Sequence, residues 1–178
     1  MKEVKNMKSA VLVIDVQKAL FDISPRPHKA DETVKKINQV TAKARSAQAP
    51  VIFIQHEAPD SAVEYSSDGW QLESNLVVED SDLFVRKTTP DSFLRTDLEE
   101  ILKNKGITHL IICGYATEFC VDTTTRRAAG LGFSVQLVSD AHTTHDKPHA
   151  KAEDIQNHHN HTLPRIKSFG VEDRKSVV

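Results

Sequence analysis

Residues 109–138, HLIICGYATEFCVDTTTRRAAGLGFSVQLV, contain a whole strand–helix–strand unit. Residues 109–113 form a mostly apolar run, as expected of a strand buried on both faces of a parallel sheet. Gly114 permits a sharp turn, and the pattern then predicts a helix from about Glu118 to Ala129. Gly130 and Gly132 close that helix, and residues 134–138 are the next strand.

The same alternation extends outward in both directions. AVLVI at 10–14 and VIFI at 51–54 are buried strands, and a shorter strand covers 83–86. Between the first two, residues 31–47 place Val34, Ile37, Val40 and Ala44 at helical spacing. A second amphipathic helix covers 97–104, with Gly106 at the position of a C-cap glycine. IQNHHNHTLPRI, at 155–166, reads as a further helix, and 166–169 as a short sixth strand. Residues 57–79 form a long polar loop, and long loops in compact domains are often functional. Strand–helix alternation predicts an α/β domain with a mostly parallel sheet and helices on both faces. A length of 178 residues suits one such domain, 1–178.

Composition narrows the function. A net charge of −2 does not suit a nucleic-acid partner, which calls for a basic stripe. No apolar run approaches the ~20 residues of a membrane span, so no membrane role is expected. Two cysteines give no disulfide framework, and a cytoplasmic location is expected. VIDVQKA follows the first strand where a dinucleotide-binding protein would carry G-x-G-x-x-G.

In an open α/β sheet, ligands bind beyond the carboxyl ends of the strands. Asp15 ends strand one, Lys87 follows strand three, and Cys120 follows strand four at a helix start. Asp15 is either a cap for a helix through VQKALF or a carboxylate tuned by its surroundings. Lys87 is either a solvated surface charge or a group in the cleft. In the second case Arg86 faces away, because strand side chains alternate. Cys113, at the end of an apolar strand, is a buried small hydrophobe. Cys120 sits where unpaired amides and the helix dipole favour a thiolate, so it is the candidate nucleophile. His158 and His161 share a helical face, but no cysteine or carboxylate cluster accompanies them at a recognisable metal spacing. His142, His145 and His149 are spread along a polar stretch, again a weak metal signal.

VLVIDVQKALFD, FVRKTTPDSF and GYATEFCVDTTTRRAAGLGF together resemble the isochorismatase-like cysteine hydrolases, a superfamily that includes nicotinamidases and N-carbamoyl amino-acid amidases. The resemblance runs from strand one to HHNHTL. It implies a three-layer αβα fold with a sheet of five or six strands in Rossmann-like order. It also implies a catalytic triad of Asp15, Lys87 and Cys120, a cis peptide between Tyr115 and Ala116, and an oxyanion hole from the amides of Ala116 and Cys120. The substrate implied is a small amide or carbamoyl compound. Loop position and the family together make Phe21, Gln55, His56, Trp70, Tyr115, Thr117 and Phe119 candidate substrate contacts. Nicotinamidases of this family carry an Asp-x-His metal pair after strand two, where Gln55-His56-Glu57 stands here. No metal and no cofactor are therefore expected. Isochorismatase itself lacks the nucleophilic cysteine, so Cys120 argues against that activity. The family also implies a homo-oligomer, dimer or tetramer. The competing functions are a thiol esterase on the same triad and a non-catalytic binding protein on a hydrolase fold.

Overall fold

The computed structural model describes residues 7–166, 168 and 171–174. Its chain order is β1 (Ser9–Ile14), α1 (Lys18–Phe21), α2 (Ala30–Ser46), β2 (Val51–His56), β3 (Leu83–Lys87), α3 (Leu98–Asn104) and β4 (His109–Tyr115). A π-helical turn (Thr117–Val121) leads into α4 (Asp122–Gly130), followed by β5 (Ser134–Thr143), α5 (Ala152–Thr162), a 3₁₀ turn (Leu163–Arg165) and β6 (Val171–Arg174). The sheet order is β3-β2-β1-β4-β5-β6, and every pairing is parallel.

The unbroken apolar character of β1 follows from its place at the centre of the sheet. Ala10, Leu12 and Ile14 face one core with Leu98 and Leu102 of α3 and Ala128 and Ala129 of α4. Val11 and Val13 face a second core with Val34, Ile37, Val40 and Ala44 of α2. Both faces are buried, so no polar alternation survives in the strand. Gly106 follows α3 with φ at +66°, the left-handed conformation expected of a C-cap glycine.

Three expectations change. The sixth strand is Val171–Arg174, paired with β5, and neither Ile166 nor Ser168 is in a strand. Lys167 and Phe169 lie outside the described residues. The helix predicted from Glu118 divides into a π-helical turn and an α-helix that starts only at Asp122. Finally, β5 runs past Val138 to Thr143, with a register shift that sets His142 beside Gly114 and Thr143 beside Tyr115.

That extension places His142 in a fully buried position. Asn160 Nδ2 donates to the Ser139 carbonyl (2.9 Å), which turns its Oδ1 toward His142 Nε2 (2.8 Å). Nε2 is therefore the protonated nitrogen, and Nδ1 accepts from the Thr117 hydroxyl (2.8 Å). Burial keeps this imidazole neutral, with its pKa pushed down to about 4.

Two predictions follow from this packing. Gly114 has φ at +121°, and a Cβ there would lie 2.1 Å from the Ile14 carbonyl oxygen. Gly114→Ala should cost at least ~2 kcal/mol by denaturant unfolding, since strain and a backbone clash act together. For His142, the unfolded chain takes up a proton below about pH 6.5, while the folded chain resists until about pH 4. Stability present above pH 6.5 is thus lost as pH falls toward 4, by ~3 kcal/mol at most. His142→Gln should flatten the stability profile over that interval, and equal slopes in the two proteins would count against the assignment.

Candidate active site

β1 ends at the point where the strand order reverses between β2 and β4. Asp15 comes next, with φ at +52°, a left-handed conformation that aspartate tolerates better than most residues. Its amide still donates to the Ile54 carbonyl (2.9 Å), so the parallel ladder holds while the side chain turns over the end of the sheet. Asp15 does not cap α1, whose N-cap residue is Gln17 and has no side-chain cap bond.

Lys87 is 1% exposed, and its ammonium lies 2.7 Å from Asp15 Oδ2. The same nitrogen is 3.3 Å from Cys120 Sγ and 3.3 Å from His56 Nδ1. Arg86 takes the opposite face, as strand alternation requires. It forms a bidentate pair with Glu57 (2.6 and 2.9 Å) and stacks over the Tyr65 ring. Because the ammonium can only donate, His56 Nδ1 accepts and the ring proton sits on Nε2. Burial, and then the Lys87 charge, lower the His56 pKa and keep it neutral.

Cys120 lies on the π-helical turn, ahead of the α-helix, so the dipole argument for a thiolate weakens at that position. Burial and the neighbouring Asp15 carboxylate push the thiol up to about 12, and Lys87 offsets only part of that. Burial and the carboxylate thus favour the thiol, where the helix start alone favours a thiolate. Asp15 Oδ1 is buried and meets no donor among the described residues, which leaves a lone pair for a thiol proton. Cys113 is fully buried, with its sulfur 3.5 Å from the Leu12 carbonyl, and burial raises its pKa.

The remaining candidates separate. His56 belongs to the Lys87 cluster. Phe21 is fully buried and packs edge-on against Tyr115, so it supports the site without facing it. Thr117 is fully buried, with its hydroxyl committed to His142. Gln55 donates to the Trp70 carbonyl (3.1 Å), and both line a groove of about 1120 Å³ along the outer edge of β3. Lys87 borders that groove, whereas Asp15 and Cys120 do not line it. Phe119 is 54% exposed, beside Lys147. The Tyr115–Ala116 peptide is cis, and the Tyr115 hydroxyl meets His145 Nδ1 at 2.7 Å.

Sequence reasoning overlooked Gln17. Its fully buried amide bonds both the amide (2.9 Å) and carbonyl (3.0 Å) of His56, and also the Trp70 carbonyl (2.9 Å). Backbone bonds Lys18→Gln71, Ala19→Gly69 and Glu73→Val16 stitch the long loop to the same segment. A glutamine inside VQKALF carries no local signal of this, because its partners are 39 and 53 residues away.

Comparison with known proteins gives the family of the chain. The isochorismatase domain model matches residues 9–164. An uncharacterised isochorismatase family protein of Escherichia coli O157:H7, YecD, is 32% identical over 93% of this chain and 93% of its own. Streptothricin hydrolase of Streptomyces noursei is 36% identical over 79% of this chain, which spans 51% of that protein. A crystal structure of an isochorismatase family protein superposes with a TM-score of 0.87 at 34% identity, covering 94% of this chain and 98% of that one. By sequence and by fold, the chain belongs to the isochorismatase family of hydrolases.

Proposed function

We propose that the chain hydrolyses a small amide or carbamoyl compound through a thioester on Cys120. The observation that carries this reading is the buried Lys87 ammonium, held between the Asp15 carboxylate and the Cys120 sulfur. Amide carbonyls resist attack, and a thiolate is the strongest side-chain nucleophile available near neutral pH. Here the thiolate arises only as it is used. Asp15 removes the Cys120 proton while the sulfur attacks the carbonyl carbon, and Lys87 stabilises the sulfur's developing charge. The carbonyl oxygen becomes an oxyanion received by the backbone amides of Ala116 and Cys120. As the C–N bond breaks, protonated Asp15 returns its proton to the nitrogen, and ammonia or an amine leaves. Water then attacks the thioester, with Asp15 taking one proton and the sulfur leaving to recover its own.

Cys120→Ala should abolish ammonia release from a panel of primary amides, ureides and carbamoyl amino acids while the protein remains folded. A variant with wild-type turnover would sink the mechanism. An ester panel run in parallel separates amide hydrolysis from esterase activity.

The resting thiol carries a further consequence. Iodoacetamide should alkylate wild-type Cys120 slowly at pH 7, with the rate rising only above the ordinary thiol range near 8.5. Asp15→Asn removes the carboxylate that opposes ionisation, so its thiol pKa falls. Alkylation at pH 7 should therefore speed up in Asp15→Asn even as turnover collapses. Peptide mass spectrometry reads each cysteine, with buried Cys113 as the internal control. Slower alkylation in that variant would contradict the assigned role of Asp15.

A further inference from the structure

His142, near the end of β5, and His145, two residues beyond it, engage the residues on either side of Ala116. His142 Nδ1 lies 2.8 Å from the Thr117 hydroxyl, and His145 Nδ1 lies 2.7 Å from the Tyr115 hydroxyl. Each ring's second nitrogen faces an oxygen that can only accept. For His142 this is Asn160 Oδ1 (2.8 Å), and for His145 it is the Pro25 carbonyl (2.8 Å). Both rings therefore carry the proton on Nε2 and present a bare Nδ1 to a hydroxyl donor. The two hydroxyls have matching tasks, one on each neighbour of a single residue.

Both anchors are themselves held. Asn160 donates to the Ser139 carbonyl, and Gln156 of the same helix donates to the His142 carbonyl (2.7 Å). On the other side, the His28 amide donates to the Thr144 carbonyl (2.9 Å), and the Thr143 hydroxyl reaches the His28 carbonyl (2.5 Å). The Tyr115 ring is further set edge-on between Phe21 and His145. The Ala116 carbonyl accepts from the amides of Phe119 and Val121 (3.0 and 3.1 Å). The carbonyl side of Ala116 is thus fixed by the turn, and its flanking side chains are fixed by the segment that carries His142 and His145.

We infer that His142 and His145 form a clamp, acting through Thr117 and Tyr115, that sets the direction of the Ala116 amide and so tunes the oxyanion hole. This inference rests on the thioester reading above. The histidines are positioning residues, since neither touches the reacting atoms. Thr117 and Tyr115 transmit the constraint, so their hydroxyls are spent on the clamp and are not offered to substrate. A preorganised donor is effective only when aimed at the oxygen's final position, and displacing it sacrifices much of its effect.

The test compares two reactions of the same sulfur. Acetylation of Cys120 by p-nitrophenyl acetate passes through a tetrahedral oxyanion. Alkylation by iodoacetamide is a displacement at carbon and forms none. Both rates are measured by mass spectrometry at Cys120 in wild type, Thr117→Val, Tyr115→Phe and Thr117→Ser, with thermal unfolding recorded for each. In Thr117→Val and Tyr115→Phe the acetylation rate should fall about tenfold or more relative to alkylation. Thr117→Ser keeps the hydroxyl and should retain the wild-type ratio. An unchanged ratio in Thr117→Val and Tyr115→Phe, or acetylation and alkylation falling together, would overturn the clamp, because general loosening slows both reactions alike. Failure of wild-type Cys120 to acetylate would instead overturn the thioester reading, and the clamp with it.

Discussion

A lysine ammonium taken wholly out of water costs several kcal/mol unless its charge and its three N–H groups are all answered. Lys87 is answered by Asp15, His56 and Cys120, contributed by three separate parts of the sheet's carboxyl edge. The strand order explains why the residue is a lysine. β3 stands two places from β1, with β2 between them, so the side chain must cross the end of β2 to reach Asp15. His56 is the register partner of Lys87 and lies where that side chain crosses. A carboxylate in its place would give the ammonium a second anion and weaken its hold on the sulfur. A neutral imidazole accepts one N–H and leaves the charge to Asp15 and Cys120.

The elements that carry these groups are also joined away from the charges. Directly after β3, Ser92 shares a buried bond with Thr124 of α4 (2.8 Å), and the Ser92 amide donates to the same hydroxyl. The loop behind the lysine and the helix behind the cysteine are therefore tied to each other. On the other side, Gln17 fastens the segment after Asp15 to the main chain of His56. Gly114, the register partner of Ile14, lies against the Ile14 backbone with no room for a side chain, at the end of β1 that leads into Asp15.

Much of this is visible in the chain before any coordinates. The apolar runs at β1 and β2 follow from burial on both faces, and Arg86 and Lys87 part company through strand alternation alone. Position suggested that Asp15, Lys87 and Cys120 share the carboxyl edge of the sheet, and their grouping as a triad came from the family resemblance. What escaped depends on distant partners. VSDAHTTH looks like a polar loop, yet β5 continues to Thr143, with His142 satisfied by Thr117 and Asn160, 25 and 18 residues away. β6 is a run of valine, glutamate, aspartate and arginine, with no apolar signature to announce a strand. The thiolate argument for Cys120 used a helix start, which is a local feature. Burial and the facing carboxylate, which act in the opposite direction, come from tertiary structure.

The charge balance of the buried trio explains why a resting thiol suits a hydrolase of this kind. Asp15 as carboxylate, Lys87 as ammonium and Cys120 as thiol sum to zero. A resting thiolate would set two anions against one cation in a medium that screens them poorly. In the proposed attack, the proton passes from Cys120 to Asp15, the sulfur becomes covalently bound, and the trio is left with the single positive charge of Lys87. At that moment the substrate oxygen acquires one negative charge. The site and its substrate together remain neutral from encounter to tetrahedral intermediate, so no net charge has to be created in a buried pocket. Lys87 therefore needs to give up no proton at any step: it is the fixed countercharge against which a proton and an electron pair change places.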